Sequence, residues 1–205
     1  MRIAFVLIGI ACLLSVGRPA EGQSLEPWAD AALPVKQNVV LWLDASRIGA
    51  ARKTLGRGEL PSSAPLGTWF DASGRRLDLR QDDLDAAPQW IAVGRDALVR
   101  FDGENDVLRL TQTGGELKEF RFFVVVSPRR NDGFFRGIVA FNAPGQRDYT
   151  SGLNLDLGAT SSARLSVLNV EGRGFSGSRD LFDIEEPFGK LHLIEVVGDA
   201  KEIAI

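Results

Sequence analysis

Hydrophobic residues along this chain occur in short runs that turn-forming residues separate. Eight of the runs have the length of a β-strand, and glycine, proline, asparagine and aspartate lie between them. The runs are Val39–Asp44, Leu98–Asp102, Val107–Leu110, Phe120–Val126, Gly137–Phe141, Gly152–Leu157, Arg164–Val170 and Lys190–Val197. This pattern predicts an all-β sandwich of antiparallel strands.

The runs also predict which side chains form the core. Phe120–Val126 is apolar at every position except Arg121, which is typical of a strand buried on both faces. Lys190–Val197 alternates, and we assign its buried face to Leu193. The predicted core residues are Phe122, Val124, Val167 and Leu193.

One segment predicts a helix. Ser46 can cap it, Arg47–Leu55 carries apolar residues at helical spacing, and Gly56 can end it. Those apolar residues are Ile48, Ala51 and Leu55.

The first 22 residues have the pattern of a signal peptide. Arg2 precedes an apolar run at Ile3–Val16, and Ala20–Gly22 supplies small residues for cleavage after Gly22. A membrane anchor is the alternative, but the run is shorter than the roughly 20 apolar residues that a spanning helix needs. Cys12 lacks the residue pattern of a lipidated cysteine. We therefore expect a secreted protein, extracellular or periplasmic, with no membrane span after cleavage.

Composition narrows the class of protein further. Cys12 is the only cysteine, so the mature chain should fold without disulfides. The chain is 44% hydrophobic and 25% charged, as in ordinary globular domains, and its formal net charge is -3. Because lysine and arginine are scattered, the sequence argues against a nucleic-acid partner.

Three phrases in the chain carry a resemblance to a known family. They are VVLWLDAS at Val39–Ser46, TWFDASGRRLDL at Thr68–Leu79 and VRFDGENDVLRL at Val99–Leu110. In this order they resemble the laminin-G-like, concanavalin-A-like jelly roll, in the version common in large secreted bacterial proteins. The resemblance implies a lead-in at residues 23–37 and a jelly-roll domain at residues 38–205.

The resemblance also implies that the last strands of this domain are missing. In such jelly rolls, the strand equivalent to Leu191–Val197 is followed by a further hairpin and closing strands beside Val39–Asp44. Here Glu202–Ile205 only begins the next strand. We expect a C-terminally incomplete domain that associates or is poorly soluble when expressed alone.

The second and third of the three phrases, at Thr68–Leu79 and Val99–Leu110, are called the first and second hairpin phrases below. Their aspartates are candidate metal ligands. Ca²⁺ takes several carboxylate and carbonyl oxygens. The candidate ligands are Asp71, Asp102, Asn105 and Asp106. The simpler interpretation is that Asp102 and Asp106 accept hydrogen bonds from their own turn, with Gly103 in a left-handed conformation.

An enzyme is the least supported class. Laminarinase-like jelly rolls place two catalytic carboxylates on one strand in an E-x-D-x-x-E spacing, and the nearest segment here puts Leu181 at the nucleophile position. The single histidine, His192, lies within a strand without a nucleophile pattern, and we interpret it as structural. We predict no enzymatic activity.

Aromatic residues near turns are candidate sugar-stacking rings, because the C–H faces of sugars pack on aromatic planes. The predicted ligand-binding residues are Trp69, Trp90 and Tyr149. Phe134 and Phe135 lie in a loop as well, although they can also begin the next strand. The sequence predicts a recognition or adhesion module for a glycan or an extracellular surface protein. A ligand-free spacer domain is the alternative, and a glycan-active hydrolase comes third.

Overall fold

The computed structural model describes eight segments of the chain, three of them (the first, sixth and last) by backbone alone. They are residues 5–13, 24–94, 96–110, 119–147, 152–172, 175–180, 185–198 and 203–204. In this part of the chain β-strands predominate and form antiparallel sheets, which confirms the predicted all-β class.

The strands are numbered in chain order. They are β1 (Phe5–Leu13), β2 (Val39–Asp44), β3 (Ala64–Pro65), β4 (Thr68–Trp69), β5 (Leu79–Arg80), β6 (Gln89–Val93), β7 (Asp96–Phe101), β8 (Arg109–Leu110), β9 (Phe120–Val126), β10 (Gly137–Phe141), β11 (Leu153–Asp156), β12 (Val167–Gly172), β13 (Phe175–Asp180), β14 (His192–Gly198) and β15 (Ile203–Ala204). Short 3₁₀ helices cover Ala45–Arg47 and Leu84–Ala86, and α1 covers Ile48–Thr54.

The chain divides into two compact units. The first unit comprises Val6–Val126 and His192–Ile205, and the second comprises Met1–Phe5 and Ser127–Leu191. The first unit holds an eight-stranded sheet in the order β15-β14-β9-β1-β7-β6-β3, with β2 also paired to β1, and a three-stranded sheet in the order β4-β5-β8. The second unit holds a four-stranded sheet in the order β10-β11-β12-β13.

The pairing of β9 with β14 decides which face of the large sheet is buried. Phe122 lies opposite Val196 and Val124 opposite Ile194, and all four side chains are buried. The prediction for Phe122 and Val124 is confirmed. These pairs build the core of the first unit on one face of the sheet.

Leu193 was assigned to the wrong face. It lies opposite Val125 and its side chain is 67% exposed. Because β14 carries apolar residues on both faces, its alternation alone does not show which set is buried; the register with β9 buries Ile194 and Val196 instead. Val167, in the second unit, is half-buried.

The predicted helix exists, with a different cap. The carboxylate of Asp44 accepts hydrogen bonds from the backbone N–H and the hydroxyl of Ser46, so Asp44 caps the 3₁₀ turn that leads into α1. Gly56, with φ of +66°, ends the helix as predicted. Leu55 is exposed, whereas Ala51 packs in a small cluster with Trp28, Phe70 and Ala72.

In the second unit, β11 is buried at all four positions. Leu153 and Leu155 lie on one face, and Asn154 and Asp156 lie on the other, since successive side chains point to opposite faces. The sheet therefore buries an apolar face and a polar face.

No helix among the described residues is long and apolar enough to span a membrane.

Candidate functional site

The aspartate of the first hairpin phrase is part of the core. The side chain of Asp71 has no exposed surface. Its Oδ1 accepts hydrogen bonds from the backbone N–H groups of Trp42 and Ser73, at 2.9 Å each. Its Oδ2 accepts from the Ser73 hydroxyl at 2.7 Å and from the Leu77 N–H at 3.0 Å. Asp71 thus ties β2 to the turn that follows β4, and both of its oxygens already have protein donors.

The second hairpin phrase forms a turn around Asp102. Its Oδ1 accepts from the backbone N–H groups of Glu104, Asn105 and Asp106 at 2.8, 3.2 and 3.3 Å. Asp106 closes the turn from the other side, because its Oδ2 accepts from the Asp102 N–H at 2.7 Å. Gly103 has φ of +75°. The predicted turn-forming role of Asp102 and Asp106 is confirmed.

The candidate metal ligands do not form a common cluster. Across the described residues, no group of three or more histidine, cysteine, aspartate or glutamate side chains is placed to hold a metal ion. The side-chain amide of Asn105 donates instead to the backbone oxygen of Asp85 at 3.4 Å. The geometry of Asp71, Asp102 and Asp106 is that of three turn-stabilising carboxylates.

The predicted sugar-stacking tryptophans are held by the first unit. Trp69 has no exposed surface, so its ring fills the core and cannot stack on a ligand in this structure, contrary to the prediction. Trp90 is half-buried, and its indole N–H donates to the backbone oxygen of Ala45 at 3.0 Å. Tyr149 lies outside the described residues.

The exposed aromatic surface lies instead in the second unit, at Phe134 and Phe135. Their side chains are 82% and 51% exposed. Strand β10 begins only at Gly137, so neither phenylalanine belongs to the strand. Two adjacent rings without polar atoms are therefore presented to solvent, and Phe134, the more exposed, forgoes most of the roughly 1.5–3 kcal/mol that full burial of such a side chain contributes.

The backbone of both phenylalanines is in an unfavourable region. Phe134 has φ of +61° and Phe135 has φ of +52°. Left-handed backbone costs a residue with a bulky side chain roughly 1–2 kcal/mol. Such a conformation persists only where surrounding contacts impose it, and it concentrates at functional sites.

Hydrogen bonds of the Asn131 side chain impose this conformation on the loop. It is buried, and its amide nitrogen donates to the backbone oxygens of Leu157 and Thr160 at 2.8 and 3.0 Å. Its Oδ1 accepts from the Gly133 N–H at 2.8 Å. A side chain at Gly133 would collide with the backbone oxygen of Ala159, since a Cβ there would lie 2.7 Å from it.

The backbone of the loop is bonded as well. Phe134 N–H donates to the oxygen of Ala159 at 3.0 Å, and Phe135 N–H donates to that of Gly158 at 3.1 Å. The Leu157 N–H donates to the Arg136 oxygen at 3.1 Å. Hydrogen bonds thus hold the backbone of the loop at Phe134, Phe135 and Arg136, while the two rings remain exposed to solvent.

A buried polar cluster supports the segment to which the loop is bonded. Asp156 has no exposed surface, and its Oδ1 accepts from the Gly158 N–H at 2.6 Å. Its Oδ2 accepts from the side-chain amides of Asn154 and Asn169. Since Gly158 also accepts from Phe135, the chain of hydrogen bonds runs from the sheet to the loop.

Charged residues precede the two phenylalanines in the sequence. Asp132 is exposed and forms an ion pair with Arg130 at 2.8 Å, and Arg129 is exposed as well. The segment that leads into the loop therefore carries exposed acidic and basic groups within five residues of Phe134.

Phe134 and Phe135 were predicted to lie in a loop or to begin the next strand, and they were not among the predicted ligand-binding residues. The local signal is Asn-Asp-Gly at Asn131–Gly133, which predicts a turn. The buried polar cluster is also visible in the sequence, because Asn154 and Asp156 alternate with leucines in a strand. Polar residues at alternate positions of a buried strand indicate a polar sheet face.

Comparison of the chain with protein-family models, with curated proteins and with solved structures gave no match.

Proposed function

We propose that this chain is a secreted recognition or adhesion module of the laminin-G-like jelly-roll type, and that it binds a glycan through Phe134 and Phe135. One observation carries the proposal. Two adjacent exposed rings stand on a loop whose unfavourable backbone is imposed by buried hydrogen bonds. Binding without cleavage is the proposed activity.

The loop has the properties that sugar stacking needs. A pyranose presents an apolar C–H face that packs on an aromatic plane, while its hydroxyls need donors and acceptors at the edge. Asp132 can accept from such hydroxyls, and Arg129 can donate to them. Because the loop is already ordered, little conformational entropy remains to be lost on binding.

A ligand-free spacer is a poorer explanation of the same loop. In a spacer, glycine or asparagine at positions 134 and 135 would remove the backbone strain and the exposed apolar surface together. Phenylalanine at both positions has a cost in stability that contact with a ligand would offset. Phenylalanine at both positions therefore supports recognition over a purely structural role.

A glycan array probed with the exported protein tests the proposal. Phe134→Ala and Phe135→Ala should each weaken binding to any glycan that is retained, by about fivefold or more, because stacking anchors typically contribute over 1 kcal/mol. Leu84→Ala is the matched control, since Leu84 is 57% exposed but lies in the first unit, and it should leave binding unchanged. The bound glycan should be recovered uncut.

Two results would contradict the proposal. If the array retains no glycan and the loop instead binds an extracellular protein, the glycan assignment is wrong and the recognition role stands. If both alanine variants bind as the unmodified protein does, the loop is not the contact.

A further inference from the structure

The three-stranded sheet of the first unit has an apolar face and a polar face. On the apolar face Trp69 of β4 lies opposite Leu79 of β5, and Leu79 lies opposite Leu110 of β8. Trp69 has no exposed surface and Leu79 is half-buried, so this face packs on the core. The neighbouring residue on each strand points to the other face, since successive side chains alternate. Those residues, paired across the sheet in this order, are Thr68, Arg80 and Arg109.

The polar face sets two arginines directly opposite one another. Arg80 and Arg109 are both exposed, and the β-carbons of such a pair are about 5 Å apart. Like charges directly opposite on neighbouring strands destabilise a sheet, and a neutral residue at either position would remove that repulsion. An anion bound by both guanidinium groups would offset it.

The protein neutralises only part of this charge. Arg80 Nη2 lies 3.7 Å from Asp78 Oδ2, which is longer than a hydrogen bond. The other oxygen of Asp78 accepts from the Asp71 N–H at 3.0 Å. Arg109 forms no ion pair with any residue that the structure describes. The row therefore carries a net positive charge and guanidinium N–H groups that can donate to a ligand.

The number of donors indicates the shape of the anion. One edge of a guanidinium group donates two parallel N–H bonds, which satisfies both oxygens of a carboxylate. Two arginines on adjacent strands offer twice that number. A phosphate or sulfate ester has three terminal oxygens and can accept from both arginines at once. The hydroxyl of Thr68, next to Arg80 in the row, is a further donor.

We propose that Arg80 and Arg109 form a binding site for a tetrahedral oxyanion, carried by a partner molecule as a phosphate or sulfate ester. This is a second site, because both arginines belong to the first unit and the Phe134–Phe135 loop belongs to the second. It depends neither on the glycan assignment nor on cleavage of the predicted signal peptide.

Nuclear magnetic resonance of the full-length chain, labelled with ¹⁵N, tests the site through the arginine Nε–H signals. The probes are methyl phosphate, methyl sulfate and acetate, each titrated at constant ionic strength. The signals of Arg80 and Arg109 should shift together and saturate with at least one of the two esters. Acetate should bind about threefold more weakly than that ester or worse, because a carboxylate engages only one guanidinium edge. The ester that binds more tightly identifies the source of the oxyanion.

Three substitutions make the test specific. Arg109→Gln should weaken binding of the ester by about tenfold or more, because it removes a pair of hydrogen bonds to a charged group. Arg109→Lys keeps the charge but lacks the planar fork, so it should weaken binding by about threefold. Arg76→Gln is the matched control: it removes the same charge from a side chain that is 85% exposed and outside the row, and it should leave the Kd unchanged within about twofold.

Three results would overturn the proposal. In the first, the signals of Arg80 and Arg109 shift no more than that of Arg76 and do not saturate. In the second, acetate binds as tightly as both esters, so that the recognised group is not tetrahedral. In the third, Arg76→Gln weakens binding as much as Arg109→Gln, which is the behaviour of unspecific charge attraction. None of these results changes what is expected for Phe134→Ala on the glycan array, so the oxyanion site and the proposed function fail separately.

Discussion

Replacing Asp71 by alanine removes the acceptor around which the first hairpin phrase is built. Three backbone N–H groups lose their partner, those of Trp42, Ser73 and Leu77. The Ser73 hydroxyl keeps a bond to the Val40 oxygen. Because Asp71 is fully buried, water does not readily replace the carboxylate, and each unsatisfied donor costs about 1–3 kcal/mol.

Asp71→Ala should therefore lower the free energy of unfolding by at least about 3 kcal/mol. Equilibrium unfolding in urea measures this free energy. An unchanged m-value would show that the stability has changed and the compactness of the native and denatured states has not. Asp102→Ala is the comparison, because Asp102 also accepts from three backbone N–H groups, two of them in bonds exposed to solvent. Water can replace the lost acceptor there, and the expected cost is about 1 kcal/mol. If Asp71→Ala costs no more than Asp102→Ala, the argument from burial is wrong.

Three further substitutions test the packing and the loop, each by the same urea titration. Phe122→Ala should cost about 3–5 kcal/mol through the cavity it leaves, and a change below about 1 kcal/mol would place Phe122 outside the core. Leu193→Ser should change stability by no more than about 0.5 kcal/mol, since that side chain is mostly in water; a loss above 2 kcal/mol would mean that it is covered. Phe134→Gly should raise stability by up to about 1 kcal/mol by relieving the left-handed backbone, while weakening ligand binding; a loss of stability would show that the ring is packed.

Strand positions could be predicted where a run is apolar and bounded by turn residues. The bounds of β2, β9 and β10 agree with the sequence prediction for that reason. The buried face of β14 could not be predicted, because apolar residues occupy both of its faces. Which face is buried depends on the pairing of β14 with β9, a strand distant in the sequence. Strand β6 was missed because Gln89–Val93 is short and follows the polar segment around Asp82–Asp85.

The Asp102 turn and the Phe134–Phe135 loop also differ in how far they could be predicted. The turn at Asp102 was predictable, since its carboxylate bonds residues two to four positions away. The backbone of Phe134 was not, because Asn131 imposes it through bonds to residues 26 and 29 positions further along the chain. Long-range contacts of this kind leave no local pattern in the sequence.

Phe134 and Phe135 are the proposed points of ligand contact. Hydroxyl-radical footprinting of the exported protein, with and without a glycan retained on the array, measures that contact at each residue. We expect strong modification of both rings in the free protein and protection of both in the complex, with Leu84 modified equally in each state. Unchanged modification of the two phenylalanines in a saturated complex would contradict it.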